Sequence, residues 1–176
     1  MVVIETKRLF IKHISTSDIC QLHRIYNKTK NMQFISTGRS EWTINELNDK
    51  YAATNINYEL GFGIFAIEIK ETSEVIGEAG IFNSFNNLSK LELGYIIDSK
   101  HWQKGYGKET CLGLIDYAFT VLNVETLIAR MYSKNINSII LSEKCGMVKI
   151  ETGLTDNGQE YLTYEIKRGM KAQQTV

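Results

Sequence analysis

Two glycines one residue apart, Gly105 and Gly107, sit in the segment His101-Trp102-Gln103-Lys104-Gly105-Tyr106-Gly107-Lys108-Glu109. It follows an apolar run, Leu91 to Ile97, and precedes a stretch with helical spacing, Lys108 to Leu122. Glycine permits positive φ and lets a ligand approach the backbone without a Cβ in the way. At a helix N-terminus such a loop presents unpaired N–H groups and the positive end of the helix dipole. Diphosphates bind such places, and Lys100, Lys104 and Lys108 add local positive charge. Taken alone, a G-x-G is more often only a tight turn.

Each side chain around the loop has a local reading. Glu92 lies between Leu91 and Leu93, so in a strand it faces away from its apolar neighbours. On that pattern alone it reads as a solvated strand residue. Asn135 suits a helix cap and can also offer an amide to a ligand. Cys20, Cys111 and Cys145 are widely spaced, with no C-x-x-C pair, and His13, His23 and His101 are scattered. No metal site is read from them. Reduced cysteines packed as small apolar residues are expected instead.

Composition bounds the rest. The chain has 176 residues, 43% hydrophobic and 23% charged, as expected of one globular domain spanning 1–176. Its 20 basic residues balance 20 acidic ones, so no net field draws it to nucleic acid or an anionic membrane, and any polyanion site must be local. No apolar run is long enough to cross a bilayer, and the first residues lack a signal-peptide pattern, so a cytoplasmic protein is expected. With no proline, turns rest on Gly, Asn, Asp and Ser, as in Asp156-Asn157-Gly158.

Periodicity supplies the elements that position the loop. Residues 4–14 alternate and read as one opening strand. Ser15 to Asp18 offer caps for a helix carrying Ile19, Leu22, Ile25 and Tyr26, and Thr43 with Glu46 forms a capping box for a second helix to about Thr54. Phe62–Lys70 and Val75–Phe82 read as a hairpin, and Lys90–Asp98 as a strand ending at the glycine loop. A helix to Leu122, a strand Thr126–Tyr132 and a short helix Asn137–Lys144 closed by Gly146 follow. Met147–Glu151 and Tyr161–Lys167 make a last strand pair, and 168–176 is read as a tail. The order β-α-α-β-β-β-α-β-α-β-β is an α/β layout on a mixed sheet. A dinucleotide-binding fold places its glycine fingerprint after the first strand; here the loop comes late.

Together these motifs resemble the GNAT superfamily of acyl-CoA-dependent N-acetyltransferases, and within it the RimJ/RimL branch. The resemblance runs through Glu5-Thr6-Lys7-Arg8-Leu9-Phe10-Ile11-Lys12, Val75-Ile76-Gly77-Glu78-Ala79-Gly80, Leu91-Glu92-Leu93-Gly94-Tyr95 and the Trp102–Gly107 loop. It ends with Asn135-x-x-Ser138 and Glu143-Lys144-Cys145-Gly146-Met147. It implies a mostly antiparallel central sheet flanked by helices, with a splayed strand pair that holds CoA. Ser142 stands where many members carry a tyrosine general acid, so that role is not carried over.

What the resemblance implies is acetyl transfer from acetyl-CoA, without a metal, to a primary amine by direct attack on the thioester. The acceptor is a protein or peptide N-terminus or a small molecule. The alternative is a non-catalytic CoA-binding or interaction module on the same fold. N–H groups of Gln103, Lys104, Gly105, Tyr106, Gly107 and Lys108 are expected at the diphosphate, with the Tyr106 ring packing the loop. The backbone at Ile96 and Ile97 and the Asn135 amide are expected at the pantetheine arm. The isoleucine side chains are equally core, and Asn135 equally a cap. Glu92 is the expected base. Ser138 is expected near the sulfur, either assisting the leaving thiolate or only contacting the cofactor or capping its helix. Homodimerisation is also implied.

Overall fold

A computed structural model of the chain describes residues 1–35 and 38–169. Eight strands form one sheet: β1 (Val2–Glu5), β2 (Leu9–His13), β3 (Gly63–Ile69), β4 (Glu74–Phe82), β5 (Lys90–Ile97), β6 (Thr126–Tyr132), β7 (Val148–Leu154) and β8 (Glu160–Lys167). Their order is β1-β2-β3-β4-β5-β6-β8-β7. All neighbours run antiparallel except β5 and β6, which are parallel. That parallel ladder extends only from Lys90–Thr126 to Leu93–Ala129, although β5 continues to Ile97 and β6 to Tyr132. The two strands therefore part beyond Leu93, and the fold expected from the resemblance is the one observed.

Helices α1 (Thr16–Tyr26), α2 (Thr29–Met32), α3 (Ile44–Thr54), α4 (Tyr106–Thr120) and α5 (Ile136–Lys144) complete the fold. Alternation along β5 divides the core between the two faces of the sheet. Leu91, Leu93 and Ile97 pack with Cys111, Leu114, Ile115 and Ala118 of α4. Ile96 packs instead with Leu22 and Tyr26 of α1 and Leu47 and Tyr51 of α3. Glu92 and Gly94 share the parity of Ile96 and so belong to the α1/α3 face.

The opening strand expected over residues 4–14 is a hairpin. The Thr6 hydroxyl accepts the Leu9 N–H at 3.0 Å, and the Thr6 N–H donates to the Leu9 carbonyl at 3.0 Å, so the chain folds back between Glu5 and Leu9. The short α2 and a 3-10 segment, Asn55–Leu60, are also additions to the expected order. The tail read from 168 lies, from residue 170 on, outside the described residues.

The capping box is present as read: the Thr43 hydroxyl accepts the Glu46 N–H at 3.2 Å, and Glu46 Oε2 accepts the Thr43 N–H at 2.8 Å. Thr43→Ala is expected to cost about 1 kcal/mol, visible as a lower urea midpoint with an unchanged slope. An unchanged midpoint would show that packing of Leu47 and Tyr51 alone sets this helix start.

Candidate active site

The glycine loop reaches its shape through two left-handed residues, Gln103 at φ 61° and Gly105 at φ 84°. The second suits glycine; the first is strained for a side-chain-bearing residue, a feature that collects at functional sites. Gly105 is the N-cap of α4 and supplies no side-chain cap, so the first N–H groups of a 15-residue helix stay available. Arg8, in the turn just before β2, fixes the loop from outside, with Nη1 donating to the Lys104 carbonyl at 3.0 Å and Nε to Glu109 at 2.7 Å. Its guanidinium also lies 4.5 Å from the centre of the Tyr106 ring, so that ring packs the loop as expected.

The loop opens onto a cleft of about 430 Å³ between the parted end of β5, α5 and the α2 corner. Of the expected site residues, Ile96, Ile97, Gln103, Gly105, Gly107, Lys108, Asn135 and Ser138 line it; Glu92, Lys104 and Tyr106 do not. Lys30, Lys108 and Lys144 are among its lining residues, and among the described residues no carboxylate lines it. Three lysines, free helix N–H groups and an unpaired β5 edge suit an elongated anion with an amide-bearing arm. A Cβ on Gly107 would lie 3.1 Å from Leu141, so the glycine also sets how closely α4 and α5 approach at the cleft floor.

Local charge comes from partly different lysines than the sequence indicated. Lys100 is bound to Glu74, whereas Lys30, over the Trp102 ring at 5.4 Å, and Lys144 were not anticipated. The α2 corner carrying Lys30 is held by Asp98, which accepts from Lys28 at 2.7 Å, and by Asn31, which accepts the Ser99 N–H at 2.8 Å. Burial alone would raise the Asp98 carboxyl, but bonds from Lys28 and the Lys100 N–H hold it below the ordinary carboxylate range.

On the α4/α5 face, Asn135 is the N-cap of α5, its side-chain oxygen accepting the Ser138 N–H at 3.3 Å. Its amide donors remain for the cleft. The Ser138 hydroxyl lies beside that of Tyr95, a cleft residue that sequence reading passed over because it continues the Leu91-Leu93 alternation. Burial pushes the Tyr95 hydroxyl well above its ordinary value, so it stays a donor. Ser142 is buried, with its hydroxyl on the Met131 sulfur at 3.8 Å. Cys111 and Cys145 are buried against each other, and the Cys145 contact and burial push the Cys111 thiol up. Cys20, expected inside, is exposed instead, on the outer side of α1 between buried Ile19 and Leu22.

On the other face Glu92 is gripped by Arg130, with Nε at 2.9 Å and Nη2 at 2.7 Å from its two oxygens. A second carboxylate, Glu78, is 6% exposed and was not singled out from the sequence as a site residue. It accepts from Tyr26 at 2.5 Å, Tyr51 at 2.6 Å and Lys50 at 2.9 Å. Burial and the Glu78 charge push both phenols far up, so they remain donors and tie α1 and α3 to β4. Glu78 pairs across the ladder with Ile96, so this network braces the cleft wall. Among the described residues, no group of three or more His, Cys, Asp or Glu is placed to hold a metal ion.

Residues 8–148 match the family model described as an acetyltransferase (GNAT) domain. An uncharacterized N-acetyltransferase, p20, of Bacillus licheniformis is 31% identical over 147 residues, 80% of this chain and 79% of that protein. Spermidine N-acetyltransferase from Vibrio cholerae, solved with CoA and spermine, superposes with a TM-score of 0.78 at 21% identity, over 92% of this chain and 96% of that one. RimL, a ribosomal L7/L12 alpha-N-protein acetyltransferase solved with CoA, superposes at 0.79 with 13% identity, over 95% and 98%. At these identities the two structures share the fold with this chain.

Proposed function

The chain belongs to the acetyltransferase (GNAT) family, and from that premise we propose that it is an acetyl-CoA-dependent N-acetyltransferase of a primary amine, of the RimJ/RimL branch. The observation that carries the cofactor reading is the cleft: three lysines and, among the described residues, no carboxylate beside the free N-terminus of α4. Backbone N–H groups from Gln103 to Lys108 hold the diphosphate, Lys104 and Tyr106 contributing main chain only. The β5 edge at Ile96 and Ile97 and the Asn135 amide hold the pantetheine arm. Acetyl-CoA supplies an activated acyl group as a thioester; the protein's residues orient it and manage protons.

Glu92 acts as base from the α1/α3 face, while the Ser138–Tyr95 hydroxyl pair serves the sulfur from the α4/α5 face. Strand β5 thus keeps proton acceptor and proton donor apart. The acceptors named for the two solved structures, spermidine and a protein N-terminus, are both primary amines, which supports that class here. Their ionisation costs differ. An α-amine near pKa 8 gives up about 1.4 kcal/mol to be neutral at pH 7, and an alkylamine near 10.4 about 4.6 kcal/mol, so a base matters more for the second.

The bidentate Arg130 grip on Glu92 favours a second reading, a CoA-binding module without turnover, because it occupies one lone pair on each oxygen and ties the carboxylate into a surface ion pair. A thermal-shift titration with acetyl-CoA, CoA, ATP and NAD, followed by an amine screen with thiol-release detection, separates the readings. The expected outcome is a shift for the two CoA species only, of about 2.7 kcal/mol at 100 times Kd, and amine-dependent thiol release. A CoA shift without release from any primary amine leaves the module; no CoA shift removes both.

A further inference from the structure

We propose that the acceptor is a zwitterion, a primary amine with a carboxylate a few bonds away: its ammonium meets Glu92, and its carboxylate meets Arg130 and Lys90. The inference deepens the acetyltransferase reading and rests on it. Lys90 and Glu92 share one face of β5, the α1/α3 face, and Arg130 reaches Glu92 from β6. Leu93 and Ala129 make the last pair of the β5–β6 ladder, so Arg130 is the first β6 residue beyond it. The Glu92–Arg130 pair therefore sits where the two strands begin to part. That is the inner end of the gap proposed to receive the pantetheine arm, and an acceptor approaching a thioester there meets this pair.

The donors left over say what the acceptor carries. Arg130 gives Nε and Nη2 to the two Glu92 oxygens, so its Nη1 has no acceptor among the described residues. Lys90 has neither a hydrogen bond nor an ion pair among them; its ammonium lies over the Phe85 ring, 4.7 Å from the centre. The Arg130 guanidinium lies over the same ring, at 5.4 Å. Two cations thus share one aromatic platform beside a carboxylate that keeps a free lone pair on each oxygen. Neighbouring acids do not take these donors. Glu165 is paired with Lys167 at 3.2 Å, and Glu151, on β7 two strands from β6, accepts the Thr163 hydroxyl at 3.3 Å and acts on Arg130 only from a distance. A zwitterion lays its own charges antiparallel on the Glu92–Arg130 pair, each facing its opposite. A short diamine would instead bring its second ammonium against Arg130 and Lys90, a like-charge contact that selects against it. Once bound, the ammonium gives a proton to Glu92, the neutral amine attacks the thioester carbonyl, and CoA leaves as its thiolate.

The test is acetyl-CoA-dependent thiol release by the wild type, Lys90→Gln and Arg130→Gln. The acceptors are the common L-amino acids and their amides, peptide amides beginning with Asp or Glu against Asn or Gln, and 1,3-diaminopropane. Expected is a preference on the order of tenfold or more in kcat/KM for carboxylate-bearing acceptors over their amides, carried mostly by KM. The amide's amine is less basic and so more often neutral, so ionisation alone would give the opposite preference. Each variant should bring the ratio of acid to amide towards one, a readout that a general loss of activity does not move. Preference for free amino acids or for the acidic peptides upholds the proposal and identifies the source of the carboxylate. Amides or the diamine matching the acids in the wild type, or a ratio unmoved in both variants, overturns it. Lys90→Gln leaves the Glu92–Arg130 pair in place, so it decides if Arg130→Gln does not fold. If CoA binds but no amine releases thiol, it is acetyl transfer that has failed. Calorimetric titration of the same acids and amides into the CoA complex then decides: binding that needs the carboxylate and weakens in Lys90→Gln upholds the site, and equal or absent binding overturns it.

Discussion

Replacing Glu92 with Gln is expected to lower turnover by about two to four orders of magnitude while CoA affinity and melting temperature barely move. Glu92 lies outside the CoA cleft, so the substitution removes no cofactor contact. Its partner Arg130 is 42% exposed at the side chain, and freeing a guanidinium that reaches water costs about 1 kcal/mol or less. Stability and cofactor binding therefore serve as internal controls on the same variant. The loss should be larger for an alkylamine acceptor than for an α-amine, because the former has more proton to shed at neutral pH. Steady-state rates with one acceptor of each kind, alongside a CoA titration, check this. Turnover within a few-fold of wild type would falsify Glu92 as the base and leave the Arg130 pair as surface structure.

Glu92 also shows where sequence stops informing. Alternation around Leu91 and Leu93 places it on the opposite face of β5 from those leucines, and the capping box at Thr43 and the glycine loop before α4 are equally local patterns. Each is written within a few residues, so each is legible. Arg130 is 38 residues away, and Tyr26 and Tyr51 are 52 and 27 from Glu78; nothing in local periodicity pairs them. The α2 corner that lends Lys30 to the cleft has no amphipathic signal, being four residues long. Tyr95 and His101 fail for another reason. One continues an apolar alternation and the other opens the glycine-loop segment as one of three scattered histidines, so their cleft positions emerge only when β5 and β6 part.

Gly77→Ala is the second large effect expected, about 2–3 kcal/mol of lost stability, with weakened CoA binding beside it. Gly77 drew attention only as part of the Val75–Gly80 motif, and its reason is steric. Ile67 pairs with Gly77 while Glu68 pairs with Val75, so Ile76 is an extra residue and β4 bulges there. A Cβ on Gly77 would lie 2.1 Å from the Ile96 carbonyl oxygen and 3.0 Å from the Ile97 Cα. Both are backbone atoms, so no rotamer change can make room and β5 itself must retreat. Ile96 and Ile97 line the cleft, so the retreat moves the edge proposed to receive the pantetheine arm. Gly94→Ala is the matched control, since its Cβ would meet only the Phe82 ring, at 3.4 Å, an ordinary contact. Urea unfolding of the two variants, with a CoA titration of each, should separate them. Equal stabilities would mean that the bulge relaxes along β4 instead of pushing β5.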